Sequence, residues 1–590
     1  MNEPVAILQQ NRLLIWVVVL AYMGVISAAG SYYGKYMRTA DAYFKAGNLI
    51  PWWAAGISMY MSNFTAYTFV AIASLVYMRG LPGLLLETGP ALAFALGAIF
   101  LAHRWHRLNL TSPPEFLEAR FNPATRQTFS ILGNLSRFIA SGIRLLAMCK
   151  FLESVTGIPT EAMIVITALV VVFYTVLGGL WAVIVTDVLQ FVILCLAVIP
   201  LFIIAVAQIF LEGGLAHFIA AIPEGFASFP NTNPLAAYQG VPVAAGPQWG
   251  WLLVFWFAYF FDYNGDWGII QRMCCTPTER DAKKAIWLSA ALSVPHAFLL
   301  LGSCFIARVL WGASIADPTN VQEAELIFGR VALKLLPAGL VGVVAAAMFS
   351  ATMSTLTVAW SVQSTSFVND IWRRFIRKNA NDRELILAGR LAVVVLGLGA
   401  MAIALAIAVT ETDIFALAQS LVSLVVTPMI VPMIFGILIP FSHRYGAMAA
   451  LLGTFTFGLL NKFLFHIPFE IEILLSVSIC VSILVGSGLF GRDLAYQRQV
   501  AAFFARMRTP RKAEVSASEI PSPLRIVGGF MMLIGGLVFL LVFTPQENLD
   551  RMVTILAAAV LTMLGLLMRR SPDLRANGAK KVKVETGEER

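Results

Sequence analysis

Runs of about twenty apolar residues recur from one end of this 590-residue chain to the other. Each is long enough to cross a hydrocarbon core as a helix. The criterion yields about fifteen spans, among them 12–33, 49–77, 126–156, 161–178, 183–208, 248–270, 334–371 and 412–438. Hydrophobic residues are 59% of the chain and charged residues only 13%. A soluble core needs far less apolar surface, so the expected class is an all-α polytopic membrane protein.

The net charge of +9 raises nucleic acid as a partner, but its distribution argues against one. Cations cluster in alternate loops: Lys35, Arg38 and Lys45; Arg104, Arg107, Arg120 and Arg126; Arg272, Arg280, Lys283 and Lys284; Arg373, Arg374, Arg377, Lys378 and Arg383; Arg506, Arg508, Arg511 and Lys512. The loop 209–247 carries none, and 410–413 is acidic. The positive-inside rule then expects a multi-pass protein of the plasma (inner) membrane, N-terminus outside and C-terminus cytoplasmic. An odd number of spans agrees. The first apolar run reads as a retained span rather than a cleaved signal. The tail 571–590 is expected to be disordered, and the amphipathic part of the linker 491–523, around Val500–Met507, to lie on the membrane surface. The six cysteines show no metal-ligand spacing.

One apolar stretch is unusual. From Gly339 to Trp372 the only charge is Asp370, yet Ser350, Ser354, Thr357, Ser361 and Thr365 follow one another at helical spacing. Ala351, Ser354 and Thr355 stand at i, i+3 and i+4, so a carbonyl and two hydroxyls can converge, as a small alkali cation requires. Such hydroxyls also bond back to their own helix or join two helices, and the spacing leaves these readings open.

Two spans carry polar interruptions: Met61–Thr68 in the second and Asp262–Asp266 in the seventh. Non-helical backbone at that depth is tolerated only where it lines a cavity or is buried in protein. The interruptions lie five spans apart and so cross the membrane in opposite directions. An inverted repeat with a broken helix in each half is the pattern of a secondary transporter with a midplane site. Two polar kinks at helix interfaces are the plainer alternative.

The ordered motifs resemble the sodium/solute symporter family, which carries sugars, proline, sialic acid and vitamins. They are Asp41-Ala-Tyr-Phe-Lys-Ala-Gly47 before Pro51-Trp-Trp53, Pro114-Glu-Phe-Leu-Glu-Ala-Arg-Phe121, Tyr174-Thr-Val-Leu-Gly-Gly-Leu-Trp-Ala-Val-Ile-Val-Thr-Asp187 with Gln190, and Ile269-Ile-Gln-Arg272, followed by the hydroxyl-rich ninth span. The resemblance implies a five-plus-five inverted repeat. Residues 1–40 form an extra helix, 41–210 the first repeat, 211–440 the second, and 441–570 additional C-terminal helices. It implies a sodium site of the Met61, Phe64 and Ala351 carbonyls with the Ser354 and Thr355 hydroxyls. A second ion is implied at Asp187 and Thr357, where Val358 replaces a hydroxyl, so one sodium per cycle is favoured; a structural role at a helix start is the other reading of Asp187. Solute-facing positions implied are Thr68, Glu87, Pro90, Tyr259, Asp262, Ser293 and Ser420, with Tyr67 and Gln419 adjacent. The Lys and Asn of galactose carriers are replaced by Ser293 and Tyr259.

Arg144 in the fourth span is either a ligand for a solute carboxylate, as the resemblance implies, or one partner of a protein ion pair. The expected activity is sodium-coupled import of a small polar solute (sugar, polyol, amino acid or carboxylate) by alternating access. Its partners are the bilayer, sodium and the solute, with no cofactor beyond the coupling ion and the oligomeric state left open. Proton coupling through Asp262 or Asp187 is the alternative, with a transporter-like sensor behind it. An enzyme is not expected: His103 and His106 pair at a span end without partner acids.

Overall fold

The structure, a computed structural model, describes residues 3–34, 36–65, 67–156, 158–227, 237–238, 241–242, 248–409, 420–490, 493–511, 523–543 and 548–570. The tail 571–590, the acidic loop 410–413 and Gln419 lie outside the described residues. Apart from a two-residue strand pair, Ala237–Tyr238 with Val241–Pro242, the described elements are helical.

Helices occupy the expected spans. Among the described residues, ten helical segments are long and apolar enough to cross a membrane by length and composition. One of them, Thr160–Leu211, holds two spans. The second and seventh spans are interrupted, Val422–Leu438 is shorter, and Asn548–Arg570 carries charges at both ends, which completes the fifteen. A straight helix of 52 residues would be about 78 Å long, over twice the thickness of the hydrocarbon core. It breaks at Gly179, where φ is 57° and ψ −157°, a conformation only glycine adopts readily. A Cβ on the neighbouring Gly178 would collide with the Ala182 side chain, so this tight turn needs both glycines.

The elements used below are numbered in chain order: α1 (Glu3–Gly34), α2 (Trp52–Asn63), α3 (Ala73–Arg79), α4 (Gly89–Phe100), α5 (Pro123–Thr156), α6 (Thr160–Leu211), α7 (Gln248–Gly265), α8 (Trp267–Cys274), α9 (Glu279–Trp311), α10 (Ala338–Ser366), α11 (Asp382–Ala408), α12 (Thr427–Leu438) and α13 (Leu494–Arg508).

Both interruptions are present. In the second span α2 stops at Asn63, and Phe64 is extended with φ −89° and ψ 117°. Helix resumes through a π turn, Thr68–Ile72, into α3. The local cause is visible at Thr65, whose hydroxyl accepts the Tyr67 N–H at 3.1 Å in place of a helix carbonyl. In the seventh span the break is narrower than expected. Residues 262–265 stay helical, and only Asp266 is extended, with φ −65° and ψ 132°, while its carboxylate caps Gly268 and Ile269 at 2.7 and 3.1 Å. Gly265 serves close packing instead: a Cβ there would strike the Ile430 side chain on α12.

α10 is the central strut. Its most apolar window is 100% buried in protein, against 28% for α11, so the hydroxyl line meets other helices rather than lipid. α10 packs on α6, α5, α1 and α2. The expectation that the 491–523 linker rests its apolar face on the membrane is corrected. In α13 that face, Tyr496, Val500, Phe503 and Met507, is buried against the protein. The helix is tied down by Arg120, which donates to the Tyr496 hydroxyl at 2.7 Å, and by Arg506, which donates to Leu108 O at 3.0 Å.

Candidate functional site

The hydroxyls of α10 divide by direction. Thr357 and Thr365 bond back to their own helix, to Ser354 O at 2.8 Å and Ser361 O at 2.8 Å. Thr355 does more. Its Oγ1 lies 3.1 Å from Ala351 O and 3.1 Å from Phe64 O, the carbonyl exposed by the break in the second span. Met61 O is one turn away and accepts the Phe64 N–H at 3.2 Å, with a lone pair to spare. Ser354 and Thr355 are 0% and 3% exposed, so neither faces acyl chains. Three of the five expected oxygens therefore meet at one buried point between α2 and α10.

Ser354 faces the other way. It donates to Asp187 Oδ1 at 2.6 Å. Asp187, well inside the second half of α6 rather than at a helix start, also accepts from Ser58 and pairs with Arg272 at 3.5 Å. Arg272 donates further to Ser58 Oγ at 2.6 Å and Gly268 O at 3.0 Å. Both charged side chains are 0% exposed. Counting Arg272 as a loop cation was wrong; it is a buried counter-ion on α8. A charge inside the largely apolar Trp267–Cys274 was the available signal, and Ser58 offered none.

Five of the solute-facing candidates line one of two chambers. One is small and enclosed by Tyr60, Phe64, Phe94 and Tyr263, and it gathers Glu87, Pro90, Ser293 and His296. The Nε2 of His296 has no hydrogen-bond partner among the described residues. The other lies toward the C-terminal half of α10 and is larger. It is lined by Ser62, Thr355, Arg137, Arg144, Asp262 and Asp266, with an apolar wall from Val358 to Val362 and from α12. Glu87 and Ser293 thus sit apart from Arg144 and Asp262. Thr68 is buried in the π turn, and Tyr67 is exposed. Tyr259 packs beside Gly89, and Ser420 accepts from Lys462 at 3.1 Å. None of these four lines either chamber.

Comparison with known proteins identifies the family and the fold. A profile of the Sodium:solute symporter family matches residues 43–453. The sodium/sialic acid symporter NanT of Aliivibrio fischeri is 29% identical over 457 residues, covering 74% of this chain and 85% of the relative. A sodium/glucose cotransporter of Vibrio parahaemolyticus is 28% identical over 400 residues, covering 64% and 72%. Among solved structures, a substrate-bound, outward-open sodium-coupled sialic acid symporter superposes with a TM-score of 0.70 at 21% identity, over 81% of this chain and 98% of the other. These relatives are transporters, not enzymes, with sodium as the coupling ion. The interrupted helices, the inverted repeat and the extent of the match together make this chain a member of the sodium:solute symporter family.

Proposed function

We propose that the chain imports a small polar organic solute by alternating access, with sodium bound by the carbonyls of Met61, Phe64 and Ala351 and the hydroxyls of Thr355 and Ser354, the Ser354 side chain rotating away from Asp187 to complete the set as the ion enters. The observation that carries this is the reach of the Thr355 hydroxyl to two carbonyls at once, one on its own helix and one freed by the broken span. Five neutral oxygens make a site of modest affinity, suited to an ion that must enter on one side and leave on the other. Sodium there joins the first repeat (41–210) to the second (211–440). The membrane potential supplies about 2.3 kcal/mol per charge per 100 mV, roughly fiftyfold accumulation for one sodium.

One sodium per cycle is the stoichiometry we favour. The charge of Asp187 is already balanced by Arg272, Thr357 bonds back to Ser354 O, and Val358 offers no oxygen. The chain is oriented with its N-terminus outside and C-terminus cytoplasmic. Cysteines introduced at Glu212 and Lys378 should react with impermeant maleimide from opposite sides, and labelling of both from one side would reject that topology. The coupling itself is tested in proteoliposomes. An inward sodium gradient at equal pH should drive solute uptake, and uptake driven by a pH gradient in sodium-free buffer would replace sodium by protons.

A further inference from the structure

Inside the membrane-spanning part, two opposite charges share a cavity and touch no protein partner. Arg144 on α5 and Asp262 on α7 both line the larger chamber and both are exposed in it. Neither makes a hydrogen bond or ion pair, with the other or with any described residue. The remaining two charges of the chamber are engaged. The Arg137 guanidinium lies 4.0 Å from the centre of the Trp267 ring and 3.9 Å from Asp266 Oδ2. Asp266 Oδ1 caps α8. That leaves one cation and one anion without a direct contact, interacting with each other only through the field across the space they share. Charges within membrane helices are rare and are held by pairing, by water or by a ligand.

We propose that the solute is a zwitterion, its anionic group received by Arg144 and its ammonium by Asp262. The inference rests on the symporter reading above and narrows it. A neutral polyol would take over the hydration of both charges without neutralising either. A simple acid would satisfy Arg144 and leave Asp262 desolvated beside a second anion, and a simple amine would do the reverse. Only a molecule bearing both charges gives each side chain a direct partner at once, and the wall formed by Val358, Ala359 and Met429 receives its carbon skeleton. Thr355 lines the same chamber, so the solute would lie beside the expected ion and each could raise the affinity for the other.

The test uses purified full-length protein and thermal stability in sodium chloride against potassium chloride. The probes are α- and ω-amino acids from glycine to 6-aminohexanoate and their trimethylated betaines, with the matched monocarboxylates, alkylamines and neutral sugars and polyols. The expected result is sodium-dependent stabilisation by at least one zwitterion, at half-saturating concentrations tenfold or more below those of its matched acid and amine. Asp262→Asn should abolish the preference for the zwitterion over its matched acid. Arg144→Gln should abolish binding of both, while the charge-retaining Asp262→Glu and Arg144→Lys keep the zwitterion preference. Sodium-dependent stabilisation by neutral or singly charged compounds alone would overturn the zwitterion and leave the symporter standing. An unchanged zwitterion preference in both Asp262→Asn and Arg144→Gln would overturn the assignment of the two side chains. Sodium-independent behaviour of every compound would overturn the symporter reading and this inference with it.

Discussion

Replacing Thr355 by Val removes one hydroxyl and almost no volume, and so isolates the ion site. In the sodium-free protein the hydroxyl donates to Phe64 O or Ala351 O, each 3.1 Å away. That neutral hydrogen bond is worth about 0.5–1.5 kcal/mol net. With sodium bound, the same oxygen turns its lone pair to a full charge, a contact of the class worth about 1.5–3 kcal/mol. The variant loses both, but only the difference, roughly 1–2 kcal/mol, appears in the sodium affinity. At 1.4 kcal/mol per tenfold this is about a five- to thirtyfold rise in the half-saturating sodium concentration. Titrating thermal stability with sodium at constant ionic strength measures it, and Thr355→Ser, which keeps the oxygen, should stay within about threefold of the native protein. A Thr355→Val variant that folds and titrates like the native protein would refute the reasoning, because the hydroxyl would then be only a link between two helices.

Three further outcomes follow from the same geometry. Asp187→Asn removes the only carboxylate within ion-pair distance of the Arg272 guanidinium among the described residues, so unfolding free energy should fall by about 3 kcal/mol or more, with Arg272→Gln in the double variant recovering part of the loss; equal stability of Asp187→Asn and native protein would contradict the pairing. Glu118 lies in the short helix Glu115–Arg120 between the third and fourth spans; partial burial pushes its carboxyl up, but hydrogen bonds from Arg374 at 2.6 Å and Arg126 at 3.0 Å outweigh this and hold it below the ordinary 4.5. Its stabilisation is therefore complete above pH 4.5 and lost as pH falls through the lower folded value; Glu118→Gln should be less stable at neutral pH and show a flatter acid limb in thermal scans, and an unchanged limb would count against it. Arg120→Lys cannot reach Gly436 O, Ile439 O, the Ser442 hydroxyl and the Tyr496 hydroxyl together, so amide exchange in α13 should quicken about tenfold or more, and unaltered exchange would show that the helix is held by its apolar face alone.

Hydropathy carried most of the architecture, because a twenty-residue apolar run has few fates in a chain so poor in charge. The first break was readable for a similar reason: Ser62 and Thr65 compete with the helix for backbone bonds. What the one-dimensional pattern hid were choices made by neighbours. Successive residues on a helix point about 100° apart, so Ser354 and Thr355 meet different partners, Asp187 and the Phe64 carbonyl, although both belong to one polar face. The Asp262–Asp266 interruption pointed to non-helical backbone, but its Gly265 stays helical and is a place where Ile430 comes close. Arg272 looked like a loop cation because it stands at a span end, and its burial depends on Asp187, 85 positions away in sequence. The amphipathic linker helix had an apolar face to cover, but its sequence did not distinguish a lipid surface from the groove beside Phe116 that receives Phe503. The solute positions are split because the broken second span turns its side chains to different sides: Phe64 lines one chamber, while Ser62, two residues earlier, lines the other with Thr355 of α10.

Binding of radioactive sodium to the purified protein, followed by scintillation proximity, tests the ion site most directly. The account predicts saturable binding of one sodium per chain, not displaced by potassium and weakened five- to thirtyfold by Thr355→Val. No saturable binding, or binding indifferent to Thr355→Val, would contradict it.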